Sequence, residues 1–322
     1  MLLSSVAERV YWMSRYIERA ENTARIILVN HNLLLDIPHT MEFGWEALVT
    51  ITGNADIFHE HHEEATERNV LRFLVADQRN PNCITCSLGM ARENLRTTRA
   101  IVPRAAWETL NDLYAYARDN KTSGMSRRGR YAYMRRIIDY CQLMAGKLSS
   151  TMSHDQTYNF MRMGRNMERA DMTARVIDVR ASNLLPSISE ELKPFDDIQW
   201  KSVLDSLAGY QMYRRHVHVR IRGRAVLRFL LQDEQFPRTV HYCFAEVEQC
   251  LRGLPGNESA LRILGRAQRL LSEVDVIEIL SEGLNSFVDD LETVHTQLHN
   301  QLAATYFTLL EEQAAELNAV TS

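Results

Sequence analysis

The sequence predicts an all-α protein: a helical bundle built from two tandem helical halves related by a pseudo-twofold axis. Three observations carry that expectation. Gly and Pro are sparse, at 13 and 7 of 322 residues, while the helix formers Arg, Leu, Ala and Glu are abundant. The stretch Glu8–Arg25 reads E-R-V-Y-W-M-S-R-Y-I-E-R-A-E-N-T-A-R, and its core returns at Arg165–Arg175 as R-N-M-E-R-A-D-M-T-A-R. Seven of the eleven aligned positions are identical, and Glu21 is exchanged for Asp171. Two further landmarks recur in the same order. Phe73-Leu74-x-x-Asp77-x-x-x-Pro81 returns as Phe229-Leu230-x-x-Asp233-x-x-x-Pro237, and Trp45 returns as Trp200. The three offsets are 150, 156 and 155 residues. Constant order and spacing point to a tandem duplication, with halves at 1–150 and 151–322 packed as one compact unit.

Taken in order, Ser5 and Glu8 form a Ser-x-x-Glu capping box that opens the first helix, expected to run to Leu35 and stop before Pro38. At about 100° per residue, Val6, Val10, Met13, Ile17, Ala20, Ala24 and Leu28 fall on one side. Glu8, Tyr11, Trp12, Arg15, Glu18, Arg19, Asn22 and Arg25 gather on the other. Large aromatics on a charged face predict that this face is covered as well, so the helix is central. In the second copy Arg165, Glu168, Arg169 and Arg175 take the charged face. Met172 replaces Asn22 there and Arg162 replaces Trp12, so the two copies are not equivalent sites.

A second helix is expected over 42–52, broken at Gly53 and Asn54. His59 to Glu64 lacks zincin spacing, and its groups do not share one helix face, so it reads as a solvated turn or helix start. Helices follow over 66–77, 87–99 and 107–117. The second of these carries Arg92, Glu93, Asn94 and Arg96, and its counterpart near 247–252 loses the Arg-Glu-Asn. Lys121 to Arg130, polar with two glycines, reads as a mobile connection before a helix over 131–148. Pro186 to Pro194 reads as a linker. Residues 200–231 are expected as two helical pieces broken near Gly209 or Gly223. Leu254-Pro-Gly-Asn is a turn. A final helix begins at Glu282, with Leu284, Phe287, Leu291, Val294, Leu298 and Leu302 at three-four spacing, suited to a bundle seam first and a homodimer seam second.

Composition narrows the function. The net charge of −4 argues against general nucleic-acid binding. The local basic clusters, Arg127 to Arg136 and Arg214 to Arg224, read as solvated faces or phosphate-facing patches. Five cysteines form no disulfide framework, and the lone Cys83-x-x-Cys86 has no second pair to make a zinc site. No cofactor motif, metal set, signal peptide or membrane-spanning run is present, and the cytoplasm is the expected compartment.

The motifs together resemble the alpha-E family. They are the opening E-R-V-Y-W-M-S-R-Y-I-E-R-A-E-N-T-A-R, N-P-N-C-I-T-C-S-L-G-M-A-R-E-N-L-R, G-R-N-M-E-R-A-D-M-T-A-R, and Y-R-R followed by F-L-L-Q-D-E-Q-F-P-R-T-V. The departures are Cys83, where the family leads one to expect a small hydroxyl residue, and Leu95, where Ala is usual. The resemblance implies an all-helical bacterial protein encoded beside, or fused to, a circularly permuted ATP-grasp protein. A transglutaminase-like or proteasome-like peptidase is often nearby. It implies a peptide-ligation or peptide-modification system and supplies no catalytic residue.

Three functions stay open at this point. A non-catalytic partner of the ATP-grasp ligase would bind the ligase, or hold an acidic peptide or phosphorylated intermediate on Arg15, Arg19, Arg92 and Arg96, with Glu18 and Glu93 orienting the guanidiniums and Asn22 and Asn94 adding hydrogen bonds, in a pocket between the first helix and the 91–99 helix. A stand-alone amide-bond enzyme would use Glu18 or Glu168 as acid/base. A structural scaffold would use the Arg/Glu ladders only as internal ion pairs. If the two Glu-Arg helices touch, Glu18 is expected to pair with Arg169 and Glu168 with Arg19.

Overall fold

The computed structural model describes residues 2–36, 44–184, 196–217, 220–276, 278–279 and 283–307. The capping-box helix α1 (Ser4–Asp36) is 33 residues long, and the second Glu-Arg helix α9 (Gln156–Leu184) is 29. These two long helices pack against each other and carry the remaining elements. The first half adds α2 (Glu46–Ile51), α3 (Ala55–His59), α4 (Glu67–Ala76), α5 (Ile84–Thr98), α6 (Arg104–Asp119), α7 (Lys121–Met125) and α8 (Arg130–Thr151). The second adds α10 (Asp196–Ser206), α11 (Tyr210–Val217), α12 (Gly223–Gln232), α13 (Val240–Arg252), α14 (Glu258–Glu273) and α15 (Leu284–Tyr306). No strand occurs among the described residues, and the protein is all-α.

Helix α1 is central because both its faces are covered. Val10, Met13, Ala20 and Ala24 are fully buried on the apolar side, while Tyr11, Arg15, Glu18 and Asn22 are buried on the charged side. Packing against α5, α8, α9, α10 and α15 accounts for both. One apolar core runs without interruption from Ala7 to Phe307 through both halves. Small residues set the distance between α1 and α9. A methyl group added at Gly164 would lie 2.2 Å from the Tyr11 carbonyl oxygen, so here the two helices touch backbone to side. The stripe Leu284, Phe287, Leu291, Val294, Leu298 and Leu302 on α15 is buried within the chain, the core-packing reading rather than an open dimer seam.

The repeated Phe-Leu-x-x-Asp landmarks make the same local structure. Both α4 and α12 are ten residues long. Asp77 ends α4 and its Oδ1 accepts the Arg79 N–H at 3.0 Å; Asp233 ends α12 and its Oδ1 accepts from Gln235 and Phe236 at 2.9 and 2.8 Å. The next helix is then capped by Cys83 in the first half and Thr239 in the second. The tryptophans differ: Trp45 precedes α2, whereas Trp200 lies inside α10.

Several sequence expectations are corrected. Helix α2 begins at Glu46, and the expected start at residue 42 lies outside the described residues. The connection over 121–130 contains α7 and is partly core. Gly124 is buried where the Tyr133 ring leaves no room for a side chain, and Arg130 is fully buried between Glu67 at 2.6 Å and His31 at 3.0 Å. Residues 200–231 lie in three helices, because both glycine breaks are used. Ala208, between α10 and α11, takes φ +55°. Helix α14 was not expected, although its buried residues Ala260, Leu264, Ala267 and Leu271 fall at regular three-four spacing, so the pattern was present in the sequence. His59 to Glu64 is a largely exposed turn, as expected, with only His62 tucked against Phe58. The linker over 186–194, and the chain after 307, lie outside the described residues.

Gly164→Ala is expected to destabilise the fold by about 1–3 kcal/mol, because overpacking must push α1 from α9. Gly146→Ala, in the exposed interior of α8 with nothing near the added methyl, is expected to stabilise by about 0.5–1 kcal/mol through helix propensity. Urea unfolding of the two variants beside the parent checks the opposite signs.

Candidate functional site

The charged faces of α1 and α9 meet and exchange partners. Arg15 Nε lies 2.8 Å from Glu168 Oε2, and Arg19 grips the same carboxylate with Nε at 2.6 Å and Nη2 at 2.9 Å. In the other direction Arg169 Nε lies 3.0 Å from Glu18 Oε1. The expected pairs Glu18–Arg169 and Glu168–Arg19 are therefore both formed. Two residues absent from the sequence-level site complete the exchange. Arg238 Nη1 lies 2.8 Å from Glu18 Oε1 and donates to Asn22 Oδ1 at 2.8 Å, while its Nη2 donates to Glu21 at 2.7 Å. Asn82 Oδ1 accepts from Arg19 Nη1 at 2.5 Å. The contacts to Glu18 Oε1 are ion contacts without hydrogen-bond alignment.

Electrostatics fixes the charge state of this centre. Burial alone would raise Glu168, but Arg19 and Arg15 outweigh it and hold the carboxyl at about 2. Glu18 is likewise raised by burial and brought down to about 2 by Arg169 and Arg238. Both are therefore ionised at neutral pH. The nearby imidazoles are neutral. His295 is lowered by burial, and His299 is lowered to about 4 by burial and then by Arg15. His299 Nδ1 lies 3.0 Å from the Tyr11 hydroxyl.

The two lobes differ in space. Around Glu168 a cleft of about 240 Å³ opens, lined by Arg15, Arg19, Thr23, Asn82, Asp171 and Arg175, with His295 and His299 on its α15 wall. Beside Glu18, Glu21, Tyr158 and Arg165 lies a smaller cavity of about 30 Å³. The sequence repeat explains the difference. At the 156-residue offset of the Phe-Leu-x-x-Asp landmark, Asn82 corresponds to Arg238. The long guanidinium reaches Glu18, Glu21 and Asn22 in its lobe, whereas the shorter amide reaches Arg19 and Asn54 at the edge of the cleft. Within the cleft Arg175 Nε reaches Asp171 at 3.1 Å, and its Nη atoms have no hydrogen-bond partner among the described residues. The Thr23 hydroxyl is buried in the same wall and has no hydrogen-bond partner among the described residues. Gly53, at φ +69°, passes so close to the Arg175 guanidinium that an added methyl would meet it at 2.8 Å. Three arginines against two carboxylates leave the cleft with one net positive charge.

The expected site is thus partly assembled and partly dispersed. Arg15, Arg19, Glu168 and Arg175 share the cleft, while Glu18, Asn22, Arg165 and Arg169 belong to the closed lobe, with Arg25 beside Glu21. The expected pocket between α1 and the 91–99 helix is corrected. Arg92 turns away onto Asn111 at 2.6 Å and over the Trp107 and Tyr114 rings, and Glu93 pairs with Arg96 on the exposed surface. Asn94 does not line the cleft. The reason is rotational: Ser87, Leu88, Ala91, Leu95 and Thr98 form the buried stripe of α5, and the Arg-Glu-Asn positions fall outside it. Asn82 and Arg238 were within reach of the sequence, as the residues following Pro81 and Pro237 in the two repeats. Thr23 is one of the seven repeated positions but was not singled out, while His295 and His299 carried no comparable signal.

A family model, Alpha-E, described as a predicted alpha-helical domain with a conserved ER motif, matches residues 2–307. An uncharacterised protein of Mycobacterium bovis is 21% identical over 326 residues, covering 92% of this chain and 36% of the relative. An uncharacterised protein of Mycobacterium tuberculosis matches to the same extent, at 21%. The chain thus spans about a third of the length of the curated relatives it matches. No solved structure matches the chain.

The depressed carboxyls set a pH dependence. Glu18 and Glu168 sit at about 2 in the fold against an ordinary 4.5. The stability they contribute is present above about 4.5 and is lost as the pH falls towards 2, because the unfolded chain binds protons first. Urea midpoints are therefore expected to fall steadily on acidification below this range. Glu168→Gln, which leaves Arg15 and Arg19 without their charge partner, is expected to cost about 3–5 kcal/mol at neutral pH and to flatten the acid slope.

Proposed function

The chain belongs to the Alpha-E family, and from that premise we propose that it is a non-catalytic binding partner of an ATP-grasp-type ligase in a peptide-ligation or peptide-modification system. It would hold an anionic group, a peptide carboxylate or a phosphorylated intermediate, in the cleft beside Glu168. The observation that carries this reading is the open lobe itself: about 240 Å³ with a net positive lining, where the Arg175 Nη groups and the Thr23 hydroxyl have no hydrogen-bond partner among the described residues. Guanidinium groups bind carboxylate and phosphate bidentately. Arg19, already oriented by Glu168 and Asn82, and Arg175, oriented by Asp171, converge on one space. That the matched region is only 36% of a relative's length supports a module that works beside other parts.

The catalytic alternative is weaker on physical grounds. A carboxylate held at about 2 is a poor base near neutrality, and both central glutamates are so held. The scaffold reading fits the closed lobe, where Arg169 and Arg238 pair in charge with Glu18 and Glu21 and Arg238 also donates to Asn22. The two roles divide between the lobes.

Calorimetric titration with a short acidic peptide and with inorganic phosphate tests the cleft. Arg175→Ala is expected to weaken binding by about 10–100-fold, the worth of one or two charge-assisted hydrogen bonds. Asn82→Arg, which copies the second-half residue into the open lobe, is expected to abolish binding by filling it. Arg92→Ala should bind like the parent. Equal binding by all three variants would remove the cleft from the reading. Co-purification with the ATP-grasp protein of the same genome neighbourhood, with ATP turnover measured with and without this chain, tests the partnership.

A further inference from the structure

The Cys83-Ile84-Thr85-Cys86 sequence belongs neither to the cleft nor to a metal centre, for no cluster of three metal-holding side chains occurs among the described residues. Its geometry is specific. Cys83 is the N-cap of α5: its Sγ accepts the backbone N–H of Cys86 at 3.2 Å and lies 3.4 Å from Thr85 Oγ1. Cys86, in the first turn, is partly exposed, and its Sγ lies 3.9 Å from the Asp77 carbonyl oxygen. Both thiols are free. Residues three apart across a helix N-terminus fall within the Cα separation, roughly 4.4–6.8 Å, that a disulfide spans. The other cysteines, Cys141, Cys243 and Cys250, are buried in α8 and α13.

We infer that Cys83 and Cys86 form a reactive dithiol, a modification site that is reversibly oxidised to an intramolecular disulfide by exchange with a small-molecule disulfide. The two sulfurs divide the work by burial. Cys83 has no exposed surface and cannot meet an external disulfide, whereas Cys86 can. The thiolate of Cys86 attacks one sulfur of RS–SR, forming Cys86–S–S–R and expelling RS⁻. The thiolate of Cys83 then attacks the Cys86 sulfur and expels the second RS⁻. The two protein protons end on the two released thiols, so the protein loses two hydrogens and the small disulfide gains them. The pair is arranged to carry one thiolate. A hydrogen bond from Cys86 brings Cys83 down to about 7 against the effect of burial, and the same contact together with burial raises Cys86. The two sulfurs share the remaining proton, and attack proceeds through the minor form in which it sits on Cys83 and the partly exposed Cys86 is the thiolate. The bridge would close immediately after Asn82, whose side chain holds both Arg19 and Asn54.

The test uses the full chain incubated with oxidised glutathione near pH 8, followed by alkylation of free thiols, digestion and mass spectrometry. The peptide containing Cys83 and Cys86 is expected to lose two hydrogens, to resist alkylation and to recover both thiols on reduction. Cys141, Cys243 and Cys250 are expected to remain unmodified thiols. Cys83→Ser keeps an oxygen acceptor at the helix cap, and its thermal unfolding reports that it folds. It is expected to stop at a glutathione adduct on Cys86. Two free thiols in the oxidant-treated parent overturn the inference. So does a persistent glutathione adduct on Cys86 in the parent, since Cys83 would then not resolve it.

Discussion

Two glutamates, Glu18 on α1 and Glu168 on α9, are removed from water and neutralised chiefly by arginines on the opposite helix. Each carboxylate would be intolerable alone at that depth, since an unpaired buried charge costs several kcal/mol. Each is tolerable only while the other helix is in register. The exchange therefore fixes the relative position of α1 and α9 along their length as well as their contact. Gly164, pressed against the Tyr11 backbone, fixes how close they come. Helices α5, α8, α13 and α15 pack around this pair and inherit its geometry.

The same centre explains why only one side of it is open. Around Glu18 the third cation, Arg238, comes from the loop before α13 and satisfies Glu21 and Asn22 at the same time. Around Glu168 the loop before α5 contributes Asn82, which is shorter and uncharged. What is closed by a guanidinium on one side stays a cleft on the other, and Arg175 and Thr23 are left facing it with unused donors. Neutral His295 and His299 line the wall without adding charge. The two central carboxylates are fixed in the ionised form by the arginines around them.

Much of the fold was legible because it rests on local rules. Helix α1 shows its two covered faces in the spacing of Tyr11, Arg15, Glu18 and Asn22, and the α15 stripe shows its burial in three-four spacing. The short elements were harder. Helix α7 surrounds a buried glycine whose meaning depends on the Tyr133 ring, whereas α14 carries a regular three-four stripe that was legible but not read. The site was legible in half. Arg15, Arg19, Glu168, Arg169 and Arg175 follow from a repeated motif. Arg92, Glu93 and Asn94 look equally functional in sequence but lie off the buried stripe of α5.

The sequence by itself determined the helical class and the Glu-Arg helices, and it named the reciprocal pairs Glu18–Arg169 and Glu168–Arg19. Those properties depend on residue spacing along one helix and on the match between two copies of one motif. Only the tertiary structure decided which loop residues reach the paired helices, and so which lobe is open. That depends on side-chain length at Asn82 and Arg238, on backbone approach at Gly53 and Gly164, and on α15 bringing two histidines across. These distances are set by packing between segments far apart in the chain, and no local periodicity encodes them.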